Sequence, residues 1–561
     1  LKELISCYLK IKSKDASMEV IKTDIVIVGG GIAGLVAALE LIEGGKKVCI
    51  VDRDKEENLG GLAKWAFGGM FFVGTAHQRR NGFEDSIDLA TQDWFEAAEF
   101  VENEIWGRKW AEKYIHLCTP HSYDWLQKHG IRFFPVVNWV ERGLKRRGNS
   151  VPRFHMVWGT GWELIKVLKK KLLNHKNRDH LSFLFDSRVE ELIIGKQVVK
   201  GVSGSNESSG VPFEVFGENV IIATGGVNGS IDRVKKNWFK SWGSPPEIIL
   251  NGAHEYAIGD LHDAVQRHGG NVVNLDLQWN YAAGIRHYKQ RKTDHGMSLV
   301  PPPTALWLNS KGERFGPEPL VSGFDTRQLV EAICQQEKKY SWQVLNYRIA
   351  LKEFAVSGSE YNPLFRDKKM LKFVFQTLVT GNRKLLNHVI KNCEDVVFGH
   401  SVEELVAKMN ALTGGADVHL EKVKKAIDQY DQQLKLGPQN SSDPQVQQIG
   451  LIRSYRGTKT RTSNFYPINA KKGFPLIAFR EFIVSRKSLG GIQTDLNCKV
   501  LLKPNAQGKH SVIEGLYSIG ESAGFGGGGM HGKRSLEGTF LGACVITARV
   551  AAADILGRTL E

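Results

Sequence analysis

The sequence predicts an α/β protein in which a discontinuous, Rossmann-like nucleotide-binding domain is interrupted by an inserted α+β substrate or capping domain. Three observations predict it. A βαβ pattern with a glycine fingerprint runs from Thr23 to Asp52, and a second nucleotide-type strand and loop occupies Asn219 to Gly226. A third strand, Gly515 to Glu521, lies near the other end of the 561-residue chain and leads into a glycine-rich loop and an apolar helix-like run from Thr539 to Ile555. Parallel pairing of such strands requires the intervening chain to leave the sheet and return, so the mixed segment between them reads as an insertion. The expected organisation is an N-terminal extension at 1–17, nucleotide-binding segments at 18–275 and 467–561, and the inserted domain at 276–466. Helical periodicity from Val402 to Met409 and from Val423 to Leu434 supports helices within the insertion.

The first strand, Thr23-Asp-Ile-Val-Ile-Val, is short and β-branched, and the segment after it repeats apolar residues at helical spacing. Between them stands Gly29-x-Gly31-x-x-Gly34. The first glycine permits the tight turn, the second lets backbone approach a pyrophosphate, and the third allows close packing of helix on strand. Ile32 and Ala33 then open the helix whose positive N-terminus faces the phosphates. Lys47 to Asp52 reads as the second buried strand, and Asp52, followed by Arg53, stands where an acid accepts hydrogen bonds from an adenosine ribose. Farther on, Gly60-Gly61-Leu62-Ala63 and Gly68-Gly69 provide two double glycines that let backbone lie flat against a large planar ligand.

Taken with Ala223-Thr224-Gly225-Gly226, Gly259-Asp260, Gly490-Gly491-Ile-Gln-Thr494-Asp495 and Gly520-Glu521, this ordered series resembles the flavoprotein family of fumarate reductase, succinate dehydrogenase and 3-ketosteroid dehydrogenase. The resemblance covers about residues 20–275 and 467–556. It is closest to the ketosteroid dehydrogenase branch, through the loop Gly-Phe-Gly-Gly-Gly-Gly-Met-His-Gly at 524–532. It implies FAD rather than NAD, with Glu521 near the ribityl chain and the helix opened by Gly538, Thr539 and Leu541 facing the flavin. Leu62 stands where succinate dehydrogenases carry a flavin-linking histidine, so non-covalent FAD is expected.

The chemistry implied by the resemblance is dehydrogenation of a carbon–carbon bond next to a carbonyl, a ketosteroid or similar hydrophobic ketone being the type substrate. The alternative is the reverse reaction on fumarate or another enoate. Both catalytic motifs of the family are altered. Arg534 stands where ketosteroid dehydrogenases place a tyrosine base, and an arginine stays protonated. Lys487 stands where fumarate reductases have a histidine. His531 is then the nearest candidate acid or base, or else a histidine that only hydrogen-bonds the glycine loop. Arg534 is a candidate for binding a carboxylate or polarising a carbonyl, or a structural ion-pair partner. Trp158-Gly-Thr160-Gly161-Trp162 is similar to a family element beside the cofactor, and a helix-capping turn explains it too. Arg314 belongs to a hairpin common in these flavoproteins and is expected to be structural.

With 42% hydrophobic residues and 24% charged, the chain is an ordinary globular one, which excludes disordered, collagenous and small disulfide-framed classes. Lys and Arg number 75 against 60 Asp and Glu, a net charge of +15. Nucleic acid, an anionic membrane face and acidic substrates all attract such a chain. The basic residues are dispersed and no nucleic-acid-binding signature is present, which disfavours a third reading as a flavin-bound scaffold or nucleic-acid binder. Arg480, Arg486, Lys487, Lys533 and Arg534 fall in segments expected to approach the flavin. Seven scattered cysteines without a Cys-x-x-Cys pair suggest neither a disulfide framework nor a zinc site and fit a reducing, cytoplasmic location. No metal is expected, no apolar run is long enough to span a bilayer, and the absence of a Cys-x-x-Cys-His haem signature implies a separate electron donor or acceptor.

Overall fold

Ile25–Val28 is apolar and fully buried at every position, because both faces of this strand are covered. In the computed structural model, which describes residues 18–102, 104–195 and 198–560, it sits inside a ten-stranded sheet. Its neighbours are Asn219–Ile222 on one side and Val48–Val51 on the other, both parallel. Val512–Ser518 lies parallel beyond Asn219–Ile222, and Leu181–Leu184 parallel beyond Val48–Val51. Strands nearly 500 residues apart in the chain are thus two places apart in one sheet. Antiparallel strands Ser187–Gly195, Val198–Asn206 and Pro212–Phe216 extend it on one flank. The expected extension at 1–17 lies outside the described residues.

One face of this sheet carries the helices Ile32–Glu43, Thr160–Leu173 and Thr539–Ile555, which share a single core. Ile32–Glu43 buries ten of its twelve residues and Thr539–Ile555 twelve of seventeen, so neither shows a polar face and each serves as a central rod.

A second, eight-stranded sheet builds the other half, in the order Leu306–Leu308, Ser341–Asn346, Leu476–Ser488, Gln278–Arg286, Gly296–Val300, Ala355–Val356. Helices Val402–Thr413 and Leu420–Leu436 pack into its core, where helical periodicity placed them. Its central strand is Leu476–Ser488, which also pairs with Ile249–Asn251 and Val396–Gly399. Residues 476–488 and 249–251 therefore join the second sheet, although the sequence pattern grouped both with the nucleotide-binding segments. The thirteen-residue strand reads Leu-Ile-Ala-Phe-Arg-Glu-Phe-Ile-Val-Ser-Arg-Lys-Ser, two short apolar runs broken by charged residues, and such a pattern carries no mark of which sheet it enters. Arg314 pairs with Asp443 and donates to Gln445 at 2.8 Å, tying the predicted hairpin to the helix Pro444–Ser454.

Candidate active site

A cavity of about 480 Å³ runs from the end of Ile25–Val28 into the space between the two sheets. At its nucleotide end, Gly29 takes φ +108°, and a Cβ there would stand 2.4 Å from the carbonyl oxygen of Ala223. Gly34 lies behind the wall and presses against the turn, whereas Gly31 faces open space. The helix Ile32–Glu43 has no side-chain cap at Gly31, and Thr539–Ile555 has none at Gly538. The uncapped N-terminus of Ile32–Glu43 thus stands at the cavity, and the first turn of Thr539–Ile555 reaches its wall through Phe540 and Leu541. Asp52 accepts hydrogen bonds from the N–H groups of Gly30 and Asp54 at 2.5 and 2.7 Å, and burial raises its carboxyl above the usual range. Beside it the Arg53 guanidinium lies 4.6 Å above the Tyr256 ring, and both line the cavity.

The predicted glycine loops close the long walls. Gly60, Gly61, Leu62, Ala63, Gly68 and Gly69 line one side, and Ala223, Thr224 and Gly225 the other, with Glu521, Ile32, Ala33 and Leu541 between them. The turn before helix Thr160–Leu173 explains itself here, since a Cβ on Gly161 would stand 1.9 Å from the Ala63 carbonyl oxygen: it buttresses the first loop. Gly520, Gly538 and Thr539 stand behind the wall. Glu521 accepts from the Ser488 N–H at 2.9 Å, and burial pushes its carboxyl up to about 7.

At the far end the lining changes character. Ala282, Ala283, Leu299, Val300, Val356 and Phe540 make it predominantly apolar, and the polar groups are few and placed together. Lys487 projects from the end of the strand Leu476–Ser488 with its ammonium 3.8 Å above the Phe540 ring and 3.9 Å from Glu537. Burial, reinforced by Arg486, lowers its pKa to about 8 despite Glu537. Glu537 accepts from Tyr281 Oη at 3.0 Å and from Trp279 Nε1 at 2.9 Å. Burial and the Glu537 charge hold the Tyr281 phenol far above its ordinary pKa, so it stays a donor. Glu141 is bonded by the N–H and hydroxyl of Thr326, and burial together with the nearby Asp325 raises its carboxyl to about 8, which keeps it protonated at neutral pH.

Of the three candidate catalytic residues, the structure brings only Lys487 to the cavity. His531 is fully buried behind Phe525 and Phe540 and stacks on Trp94 with ring centroids 5.7 Å apart. Its Nε2 bonds Thr539 Oγ1 at 2.7 Å, and burial lowers its pKa to about 3, so it remains neutral and pins the glycine loop. Arg534 pairs with Glu99 and, at 3.1 Å, with Asp325, away from the cavity wall. Lys533 also faces Glu99, and Arg480 stacks on Tyr340 and Phe482. The basic cluster expected near the flavin reduces there to Arg486 and Lys487. Tyr281, Glu537 and Glu141 carried no motif. Glu537 had one usable signal, an acid immediately preceding the glycine that opens the last helix.

Residues 24–541 match the family described as FAD binding domain. The chain belongs to that FAD-binding family. This flavoprotein is 38% identical over 551 residues to a KsdD-like steroid dehydrogenase of Mycobacterium tuberculosis, covering 95% of each chain. Its fold is shared with the open conformation of a flavocytochrome c3 fumarate reductase (TM-score 0.64, 19% identity, 98% of this chain and 81% of that one). It is shared equally with the 3-ketosteroid Δ1-dehydrogenase of Sterolibacterium denitrificans (TM-score 0.65, 14% identity, 96% and 99%). The flavoprotein's cofactor is FAD, and the residues present fit it: the uncapped N-terminus of Ile32–Glu43 meets the needs of a pyrophosphate, and the open Gly31 lets it approach. Among the described residues no group of His, Cys, Asp and Glu is suited to a metal ion, and no helix is long and apolar enough to cross a membrane.

Proposed function

We propose that this oxidoreductase dehydrogenates a carbon–carbon bond next to the carbonyl of a hydrophobic ketone of ketosteroid type. The observation that carries the proposal is the grouping of Glu537, Tyr281 and Lys487 where the glycine-lined part of the cavity meets the apolar part. FAD, when bound there, supplies the acceptor for the hydride leaving the β carbon. The protein's own groups must take the α proton and steady the carbonyl. Glu537 takes the proton, its carboxylate oriented by Tyr281 and Trp279. Lys487 as ammonium, and Glu141 as a neutral acid, are the donors that draw electron density onto the carbonyl oxygen. The apolar lining excludes water and suits a rigid hydrocarbon skeleton. Similarity to the mycobacterial KsdD-like steroid dehydrogenase supports the same substrate class.

Anaerobic addition of a 3-ketosteroid to the holoenzyme should bleach the flavin, while succinate should not. A second reading, reduction of an enoate, is favoured by Arg486 and Arg461 on the cavity wall, which offer charge to a carboxylate. Reoxidation of chemically reduced enzyme by fumarate, without response to ketones, would establish that reading instead. A separate electron acceptor and a cytoplasmic location complete the proposal, the latter supported by the six cysteines among the described residues, all free and buried.

A further inference from the structure

We propose that the helical segment 370–380 docks the protein on an anionic lipid surface, next to the wall of the cavity. The segment consists of Met370–Phe375 continued by Gln376–Thr380, and neither part contains a buried residue. Leu371 is 87% exposed, Phe375 58%, Leu378 65% and Val379 68%. These positions are spaced four, three and one apart, which puts them on one helical face, and Met370 and Val374 widen that face. The opposite side holds the segment to the body, through Phe373 packed on Phe134, Trp158 and Phe365 with ring centroids 5.8, 6.3 and 5.2 Å away. The helix is thus seated with its apolar face outward, the reverse of the arrangement water favours, and contiguous apolar surface of this kind marks an interaction site.

The surrounding charge selects the occupant. Between residues 366 and 384 the sequence holds six Lys and Arg and a single acid, Asp367; Arg366 and Lys369 pair with Asp367 and Lys368 with Glu163, which leaves Lys372, Arg383 and Lys384 as the excess positive charge. A second copy of the chain on this face would set two such basic segments against each other. An anionic bilayer accepts both features at once, since the apolar face enters the acyl boundary while lysine stems reach back to the headgroups. No helix among the described residues is long and apolar enough to span a membrane, so the contact is interfacial. The aromatic seat connects the segment to the catalytic cavity: Phe365 stacks on Phe67 at 5.2 Å, and Phe67 and Asn362 line the cavity. A ketone dissolved in lipid would then enter without crossing water. That last clause rests on the proposed substrate, whereas lipid docking stands without it.

Flotation of the holoenzyme with vesicles tests the docking independently of turnover. Vesicles of phosphatidylcholine containing about 30% phosphatidylserine should carry the protein upward at low salt, and pure phosphatidylcholine much less. The L371E/F375E double variant should lower partitioning at least ~10-fold, and so should K372E/K384E, with flavin absorbance and thermal midpoint unchanged in at least one of the two. Wild-type protein that fails to float with the anionic vesicles would overturn the proposal. So would wild-type flotation by both variants, or a solution dimer that L371E/F375E dissociates in the absence of any vesicle binding.

Discussion

Gly31 and Gly34 belong to one fingerprint, yet the structure gives them separable tasks, and two alanine substitutions distinguish them. A Cβ on Gly34 would stand 2.0 Å from the Gly29 carbonyl oxygen and 3.3 Å from Ile27 Cγ2. Ordinary contact begins near ~3.4 Å, so Gly34→Ala must drive the helix Ile32–Glu43 off the turn by more than an ångström or deform the turn itself. Overpacking of this size costs about 1–3 kcal/mol, and the displaced N–H groups should weaken FAD binding by roughly 5- to 150-fold. Gly31 has φ −70°, and a methyl added there would meet no atom within 4 Å, so alanine fits the unliganded protein without strain. The methyl would instead occupy the space through which a pyrophosphate approaches. Gly31→Ala should therefore leave the denaturation midpoint of the flavin-free protein unchanged and lower FAD affinity, while Gly34→Ala lowers both. Flavin titration followed by fluorescence, with urea unfolding of the flavin-free protein, reads the two quantities. Wild-type FAD affinity in Gly31→Ala, or wild-type stability in Gly34→Ala, would refute the division of roles.

Glu537→Gln keeps the hydrogen-bonding shape but removes the proton acceptor, so flavin reduction by substrate should fall about 10²- to 10⁴-fold with FAD content intact, measured by anaerobic stopped flow. Lys487 loses its charge and Glu141 its proton as pH rises through about 8; the wild-type kcat/KM should decline along that limb, Lys487→Met should be slower, and only the Lys487→Met/Glu141→Gln double variant should show no such limb. His531→Ala should cost about 2–4 kcal/mol of stability by opening a void and leaving Thr539 with Ser535 as its remaining side-chain partner, while turnover per bound flavin stays close to wild type. Because His531 titrates near 3 when folded and near 6.5 when unfolded, the unfolded chain takes up the proton first. Its share of stability is complete above pH 6.5 and declines as pH falls toward 3, by at most about 1.4 kcal/mol per pH unit. The stability gap between wild type and His531→Ala should accordingly narrow between pH 7 and pH 5 in denaturant melts.

The nucleotide end of the site was legible because its chemistry is written in local pattern. A tight turn, a close backbone approach and an uncapped helix start each demand glycine at set spacing, and a buried parallel strand demands consecutive β-branched residues. Gly29, Gly31, Gly34 and Asp52 are therefore identifiable in the chain before any fold is known, as is the discontinuous sheet that joins Val512–Ser518 to Asn219–Ile222. The seat of Lys487 was less so, since only its position before Gly490-Gly491 pointed to the cavity.

The grouping of the proposed reacting residues was decided by tertiary structure. Tyr281 and Glu537 lie 256 residues apart and meet because Gln278–Arg286 pairs with Leu476–Ser488 at the mouth of the last helix. His531 and Arg534 looked reactive in the sequence because histidine and arginine near a glycine loop have that chemistry in water. Burial behind aromatic rings holds the first neutral, and Glu99 and Asp325 neutralise the second. The +15 charge follows the same rule. Composition determined its size, and folding decided that Arg486 and Lys487 face the cavity while a separate basic patch surrounds an exposed apolar helix. Local pattern specifies backbone geometry because the constraint lies within a few residues, whereas charge state and reactivity depend on neighbours brought together across hundreds.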